Sequence, residues 1–153
     1  MPPDDLGTGV HLLRSRSVPV LHHFVQCFAA IPEAVPAARR WFNHVCTEQG
    51  VDPALAQRGQ LPISELVANA VRYGECEEIY VELDISGDVF VAMHDESPEP
   101  PKPQIPADDD SPGGRGLFLA SVLTDDLGWT TTVSGKAVWF LLTKPAAGTL
   151  SAG

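Results

Sequence analysis

Two polar side chains with complementary chemistry lie four positions apart near the middle of the chain. Glu65 supplies a carboxylate and Asn69 a carboxamide within ISELVANAVRYG, residues 63–74. Residues four apart lie side by side on a helix, so this pair would offer oxygen atoms to a hard cation and to phosphate groups at one point. Taken alone, so short a pattern is more often an ordinary solvated helix face, and its meaning depends on its neighbours.

The same segment predicts the helix that must position this pair. Its polar side also carries Arg72, which could reach a phosphate or simply be a solvated cation favoured near a helix C-terminus. Gly74 supplies the stop, and the helix begins near Pro62 or continues through a kink there. The opposite side is an apolar stripe that predicts burial in a core: Ile63, Leu66, Val67, Ala70 and Val71.

Two further features follow along the chain. Asp95 lies at the end of a predicted strand, and the glycine-rich segment 113–116 opens a predicted helix over residues 114–124. A glycine-rich entry to a helix N-terminus is where backbone N–H groups can contact an anion. The intervening residues are rich in proline and aspartate, and a loop of this length is usually either functional or disordered. We therefore expect this loop to cover a site.

Hydrophobic periodicity predicts the remaining elements. A strand over residues 22–30 is expected at a sheet edge, and a helix over residues 36–49 begins at a proline and ends at a glycine. The apolar side of this helix is predicted to be Ala37, Trp41, His44 and Val45.

The segment after that helix carries a short helical stretch and then two hairpins. Asp52 and Pro53 can cap the helical stretch, which Gly59 interrupts. Alternating apolar residues with short glycine-containing turns predict the two β-hairpins. The hairpins pair residues 79–86 with 89–93, and residues 130–133 with 137–143.

Composition bounds the class of protein. The chain has 153 residues, 44% of them hydrophobic, which suits one domain with a real core. We expect that domain at residues 21–144, between a flexible leader over 1–20 and a flexible tail over 145–153. A formal net charge of -10 removes the electrostatic basis for binding nucleic acid.

Cysteine and histidine usage bounds the compartment. Cys27, Cys46 and Cys76 are odd in number and widely spaced, which fits neither a disulfide framework nor a zinc site. The five histidines add no metal-ligand spacing, and His94 is expected to be a strand residue. With no signal peptide and no apolar run of membrane-spanning length, we expect a cytoplasmic protein that does not enter a membrane.

The motifs occur in an order with a known counterpart. The chain from about residue 24 to residue 142 resembles the GHKL ATPase superfamily with the Bergerat ATP-binding fold. It is most similar to the small single-domain branch, the bacterial anti-sigma-factor serine/threonine kinases and related histidine-kinase-like ATPases. The matching segments are AARRWF (37–42), SELVANAVRYG (64–74), VAMHDESP (91–98), GGRGL (113–117) and GKAVWF (135–140).

The resemblance implies a fold class and its cofactors. The expected fold is a two-layer α/β sandwich, with a mixed and mostly antiparallel sheet and helices 36–49, about 62–73 and 114–124 packed on one face. ATP would lie between these helices and a lid, together with Mg²⁺.

The resemblance also implies a role for each site residue. Glu65 would be the general base, and Asn69 would hold Mg²⁺ against the ATP phosphates. Asp95 would accept a hydrogen bond from the exocyclic amine of adenine. Phosphate contacts would come from Arg72 and from the second glycine-rich box: Gly113, Gly114, Arg115, Gly116 and Leu117.

The sequence departs from the family pattern at two places. The family's Asp-x-Gly-x-Gly becomes Asp95 followed by Ser97 and Glu99, so both glycines are replaced and we expect an altered pocket or weaker ATP binding. Ala137 stands where relatives often carry Ser or Thr, so a water-mediated contact near adenine is expected to be lost.

The activity that the resemblance implies is an ATP-dependent serine/threonine protein kinase. It would sequester a sigma factor and phosphorylate an antagonist protein of the anti-sigma factor, and relatives act as dimers, so a homodimer is also implied. The alternative is a non-catalytic nucleotide-binding interaction module with the same fold. A third interpretation, the ATP domain of a histidine kinase, is disfavoured because we expect neither a preceding helical segment that bears a phospho-accepting histidine nor a sensor region.

Overall fold

Five strands form the sheet in the computed structural model, which describes residues 22–97 and 112–145. The strand order is β1-β2-β3-β5-β4, and each neighbouring pair is antiparallel. The predicted two-layer α/β sandwich is therefore confirmed, with every pairing in these ranges antiparallel. The strands are β1 (His22–Ala29), β2 (Glu78–Ile85), β3 (Val89–Asp95), β4 (Asp126–Thr131) and β5 (Lys136–Leu142).

Within the ranges that the structure describes, four helices lie on one side of this sheet. They are α1 (Ala34–Glu48), α2 (Pro53–Arg58), α3 (Gln60–Tyr73) and α4 (Pro112–Leu123). Asp52 caps α2 as predicted, because its Oδ1 accepts a hydrogen bond of 3.0 Å from the backbone N–H of Ala54. Within the two described ranges, no helix has the length and apolar character needed to cross a membrane.

The core lies between the helices and the inner face of the sheet. The apolar stripe of α3 enters it as predicted: Ile63, Leu66, Val67 and Ala70 are buried, and Val71 packs against them. Strand alternation supplies the other wall, with Ile79, Val81, Leu83 and Ile85 of β2 all facing inward.

The apolar face predicted for α1 is partly wrong. The buried residues are Ala34, Ala38, Phe42, Val45 and Cys46, whereas His44 is exposed. Two overlapping apolar series run along this helix, and the sheet accepts the one that places the bulky Phe42 in the core. The helix also begins at residue 34, before the proline that was expected to start it.

The predicted hairpins form, with changed strand bounds. Gly87 takes a φ of +96° in the turn between β2 and β3, a conformation that glycine adopts without strain. In the second hairpin β4 begins at Asp126, four residues before the predicted start, because Gly128 and the charged residues at its start obscure the alternation. The predicted leader, tail and lid fall mostly on residues outside the described ranges.

The register of β3 and β5 creates the polar end of the inner face. Met93 lies opposite Val138, and the two preceding pairs on the same face of the sheet are equally apolar. The last pair is Asp95 opposite Lys136. Residues directly opposite in an antiparallel pair share a face, so this pair places two charges at the end of an apolar wall.

Candidate functional site

Helix α3 carries the first half of the candidate site. Because its apolar stripe faces the core, Glu65 and Asn69 are fixed side by side on a partly covered flank. Asn69 is 4% exposed, and its Oδ1 is buried without a hydrogen-bond donor. A buried acceptor without a partner costs about 1–3 kcal/mol, which is why such atoms in native proteins call for a ligand or water as partner.

The carboxylate of Glu65 lies in a half-buried position on the same flank. Burial raises the pKa of Glu65 above its ordinary value, and the nearby positive charge of Arg72 partly offsets that rise. A carboxylate whose pKa is raised is a better proton acceptor. Arg72 itself is exposed at the end of α3, with its guanidinium 5.9 Å from the centre of the Tyr73 ring.

The second half of the site is the Asp95–Lys136 pair. The Nζ of Lys136 lies 3.2 Å from Oδ1 and 3.0 Å from Oδ2 of Asp95, and the two residues are 2% and 5% exposed respectively. The backbone N–H of Ser97 donates to Oδ1 at 2.8 Å. The 3.0 Å approach to Oδ2 is an ionic contact without hydrogen-bond geometry, so Oδ2 keeps its acceptor capacity.

Two glycines bring these halves together. Gly74 follows α3, and a Cβ added there would lie 3.1 Å from the Cβ of Asp95. A Cβ on Gly135 would lie 2.6 Å from the Cα of Glu96, closer than real side chains approach a backbone. The end of the helix that carries Glu65 and Asn69 therefore lies directly against the strand end that carries Asp95.

Lys136 is a site residue that the sequence interpretation missed. A signal was available, because positions 136, 138, 140 and 142 alternate inward on one strand, and only the first is charged. Cys76 was missed as well. Burial raises the pKa of its thiol, and a hydrogen bond from the backbone of Glu96 partly offsets that rise. The negative charge of Asp95 raises this pKa further, and the positive charge of Lys136 lowers it.

The expectation about Ala137 is wrong. This residue pairs with His94, so its Cβ lies on the outer face of the sheet, opposite to the face of Asp95. A hydroxyl at position 137 would point away from the candidate site. His94 is a strand residue as predicted, and its Nε2 is hydrogen-bonded to Glu82 on that outer face.

The glycine-rich segment lies within α4. Gly113, Gly114 and Gly116 belong to the first turns of the helix, which begins at Pro112, so they form the helix N-terminus itself. Leu117 is 2% exposed and packs in the hydrophobic core. The side chain of Arg115, together with Glu99 and the rest of the predicted lid over residues 98–111, lies outside the described residues.

The donor set fits the cation that the family resemblance implies. Mg²⁺ prefers oxygen ligands and keeps several waters, so one carboxamide oxygen together with phosphates is enough. Asn69 Oδ1 is such an oxygen, already removed from water and without a donor of its own.

Comparison with known proteins gives a family and a fold. The model of the histidine kinase-like ATPase domain family matches residues 28–142. A crystal structure of the RsbU and RsbW domains of Rv1364c from Mycobacterium tuberculosis superposes with a TM-score of 0.61 at 20% sequence identity. The match covers 82% of this chain and 34% of that one, so the chain spans about a third of its length. No curated protein matches the sequence.

Proposed function

Because the chain belongs to the family of histidine kinase-like ATPase domains, we propose that it is a regulatory ATP-dependent serine/threonine protein kinase of the anti-sigma-factor type. Its substrate would be an antagonist protein, whose phosphorylation controls the release of a sigma factor. The RsbW domain named in the similar solved structure supports this branch of the family.

One observation carries the proposal. Among residues whose side chains the structure describes, the buried side-chain oxygens without a hydrogen-bond donor are Asn69 Oδ1 and Asp95 Oδ2. They belong to the two residues that the family resemblance assigns to Mg²⁺ (Asn69) and to the adenine base (Asp95). Folded proteins leave few such atoms unpaired, so their coincidence with both predicted ligand contacts supports a nucleotide site between α3 and the end of β3.

Glu65 would be the general base of the transfer step. Its carboxylate takes the proton from the acceptor hydroxyl as that oxygen attacks the γ-phosphorus, and the bond from the γ-phosphorus to the bridging oxygen breaks to release ADP. Mg²⁺ held by Asn69 would neutralise charge on the phosphates. Arg72 and the backbone N–H groups at the start of α4 would bind phosphate oxygens.

Asp95 would orient the base. Its Oδ2 accepts a hydrogen bond from the exocyclic amine of adenine, and guanine has a carbonyl oxygen at that position instead. The partners would be the antagonist and the sigma factor, met in the cytoplasm, where ATP is available. The family resemblance also implies a homodimer.

Titration calorimetry with ATP in the presence and absence of Mg²⁺ tests the nucleotide site. The wild type should bind ATP, and Asn69→Ala should bind with the Mg²⁺ dependence removed. Asp95→Asn should lose preference for ATP over GTP. A wild-type protein that binds neither nucleotide would end the proposal.

A second candidate function is favoured by the Asp95 segment. Asp95 is charge-balanced by Lys136, and the family's glycines after it are absent, which suits a nucleotide-binding interaction module without turnover. Incubation with radiolabelled ATP and candidate antagonists from the same genome separates the two. Tight ATP binding without transfer to any of them would favour the module.

A further inference from the structure

We infer that Lys136 is a base-binding residue, whose ammonium donates a hydrogen bond to ring nitrogen N1 of adenine while Asp95 accepts one from the exocyclic amine. The inference rests on the proposed function in taking ATP as the ligand. It adds a specificity residue to which the family resemblance assigns no role.

The hydrogen-bond inventory leaves capacity on both partners. An ammonium has three donors. One is used by Asp95 Oδ1 at 3.2 Å, and the contact to the carbonyl oxygen of Ser97 at 3.5 Å is at the outer limit of a hydrogen bond. On the carboxylate, Oδ2 lacks a hydrogen bond. An available donor and an available acceptor therefore lie 3.0 Å apart.

This arrangement matches one edge of adenine. The exocyclic amine of adenine is a donor, and the adjacent ring nitrogen N1 is an acceptor. Oδ2 of Asp95 and Nζ of Lys136 present the complementary acceptor and donor side by side. Guanine presents the reverse order, a carbonyl acceptor beside a protonated ring nitrogen, so it would need the opposite orientation against two side chains fixed on neighbouring strands.

The surroundings hold the pair in place. Close approach of the backbone at Gly135 and of the helix end at Gly74 leaves Asp95 little freedom to move. The side chain of Ala137 points to the opposite face of the sheet. Lys136 is therefore the residue of β5 that reaches the carboxylate of Asp95. Donation from a charged group in a buried site is stronger than donation between neutral groups.

Nucleotide analogues test this contact in the unmodified protein. In 1-deaza-ATP a carbon replaces N1, and in 7-deaza-ATP a carbon replaces N7 on the other ring. Calorimetry should show 1-deaza-ATP binding about tenfold or more weaker than ATP, since a lost charged hydrogen bond has that effect. The matched analogue 7-deaza-ATP should bind close to ATP. Equal affinities for ATP and 1-deaza-ATP would overturn the inference and leave the proposed function intact.

Variants then assign the contact to the lysine. Lys136→Met should weaken ATP binding and bind ATP and 1-deaza-ATP alike, whereas Lys136→Arg, which keeps a charged donor, should restore part of the preference. If Lys136→Met lowers both affinities by the same factor, Lys136 has only a structural role.

Two controls complete the test. If circular dichroism shows that Lys136→Met is unfolded, the analogue comparison in the wild type still decides the matter, and Asp95→Asn/Lys136→Met supplies a charge-neutral background. A wild type that prefers GTP would overturn the assignment to adenine. A wild type without nucleotide affinity would overturn the proposed function and the inference with it.

Discussion

The polar flank of α3 and the strand-end pair of β3 and β5 adjoin each other but are built in different ways. Glu65 and Asn69 come from one stretch of a single helix. Among the described residues Glu65 makes no direct ion pair, and the carboxamide of Asn69 carries no charge. Asp95 and Lys136 are 41 positions apart in the sequence, and they neutralise each other's charge in a buried ion pair.

This difference separates two kinds of function within one site. The flank of α3 contains a carboxylate with a raised pKa and an amide oxygen without a donor, so it carries a cost that a ligand can relieve. The strand-end pair is balanced in charge, and breaking it leaves a buried ion without compensation. Substitutions in the first region should impair chemistry, and substitutions in the second should impair stability first.

The largest expected effect is on phosphate transfer. Glu65→Gln should lower the transfer rate by about 10²- to 10⁴-fold, because a positioned general base typically contributes that much. The free energy of unfolding should change by less than about 1 kcal/mol, since the half-buried carboxylate has no ion pair within hydrogen-bonding distance in the described structure. Single-turnover transfer from radiolabelled ATP measures the first effect, and urea denaturation measures the second.

Glu48→Gln is the matched control, because Glu48 is exposed at the end of α1. It should keep the wild-type rate. A Glu65→Gln protein with full transfer activity would show that another group takes the proton. The flank of α3 would then have no special role in the chemistry.

The next largest effect is on stability at the strand ends. Lys136→Met should reduce the free energy of unfolding by about 3–5 kcal/mol, the usual cost of removing one partner of a buried ion pair. Asp95→Asn/Lys136→Met should recover much of that loss, because no unpaired charge remains. Urea denaturation at neutral pH measures both variants.

Lys144→Met serves as the control for this prediction, since Lys144 is exposed after β5. A surface change of this kind should stay within about 0.5 kcal/mol. If Lys136→Met and Lys144→Met change the free energy of unfolding equally, the buried pair contributes nothing to the stability of the fold.

The same contrast explains how much the sequence predicts. Local periodicity is sufficient for α3, for its buried stripe and for the hairpin of β2 and β3, because each depends on residues close together in the chain. The Asp95–Lys136 pair depends on the register between β3 and β5, which no local pattern specifies. Lys136 was therefore not linked to Asp95, and Ala137, which lies on the opposite face, was expected to affect a contact near adenine.

Helix α1 shows a second limit. Its sequence contains two overlapping apolar series, and the choice between them depends on which fits the sheet beneath. Phe42 fills the core, whereas Trp41 lies partly outside and packs edge-on against Phe28 of β1 at 6.1 Å between ring centres. Packing against a strand distant in sequence determines which apolar series is buried, and periodicity alone cannot predict it.

A smaller effect is expected for the stability of Asn69→Ala. Its Oδ1 makes no hydrogen bond, so the loss of packing should be largely offset by removal of the unpaired acceptor. The free energy of unfolding should change by less than about 1 kcal/mol, well below the change for Lys136→Met. Urea denaturation without nucleotide measures it, and a loss above about 3 kcal/mol would mean that Asn69 is a structural residue of the core.

The smallest expected effect is a shift in pH dependence. Burial raises the pKa of Glu65 above 4.5, so the acid limb of the transfer rate should have its midpoint above that value. Arg72 lowers this pKa, so Arg72→Met should move the midpoint further upward. Transfer rates measured across pH in the two proteins test the shift. Arg58→Met, whose guanidinium is paired with Asp125 at 3.1 Å, should leave the midpoint in place.

The same raised pKa has a consequence for stability. The folded protein holds the Glu65 proton to a higher pH than the unfolded chain does, so the contribution of this group is complete below pH 4.5 and is lost as pH rises through the folded pKa. Glu65→Gln should remove that decline from the curve of unfolding free energy against pH. If the decline persists unchanged in Glu65→Gln, the cost assigned to the flank of α3 belongs to another group. The contrast between a region with an uncompensated polar cost and a region that is balanced in charge would then rest on Asn69 alone.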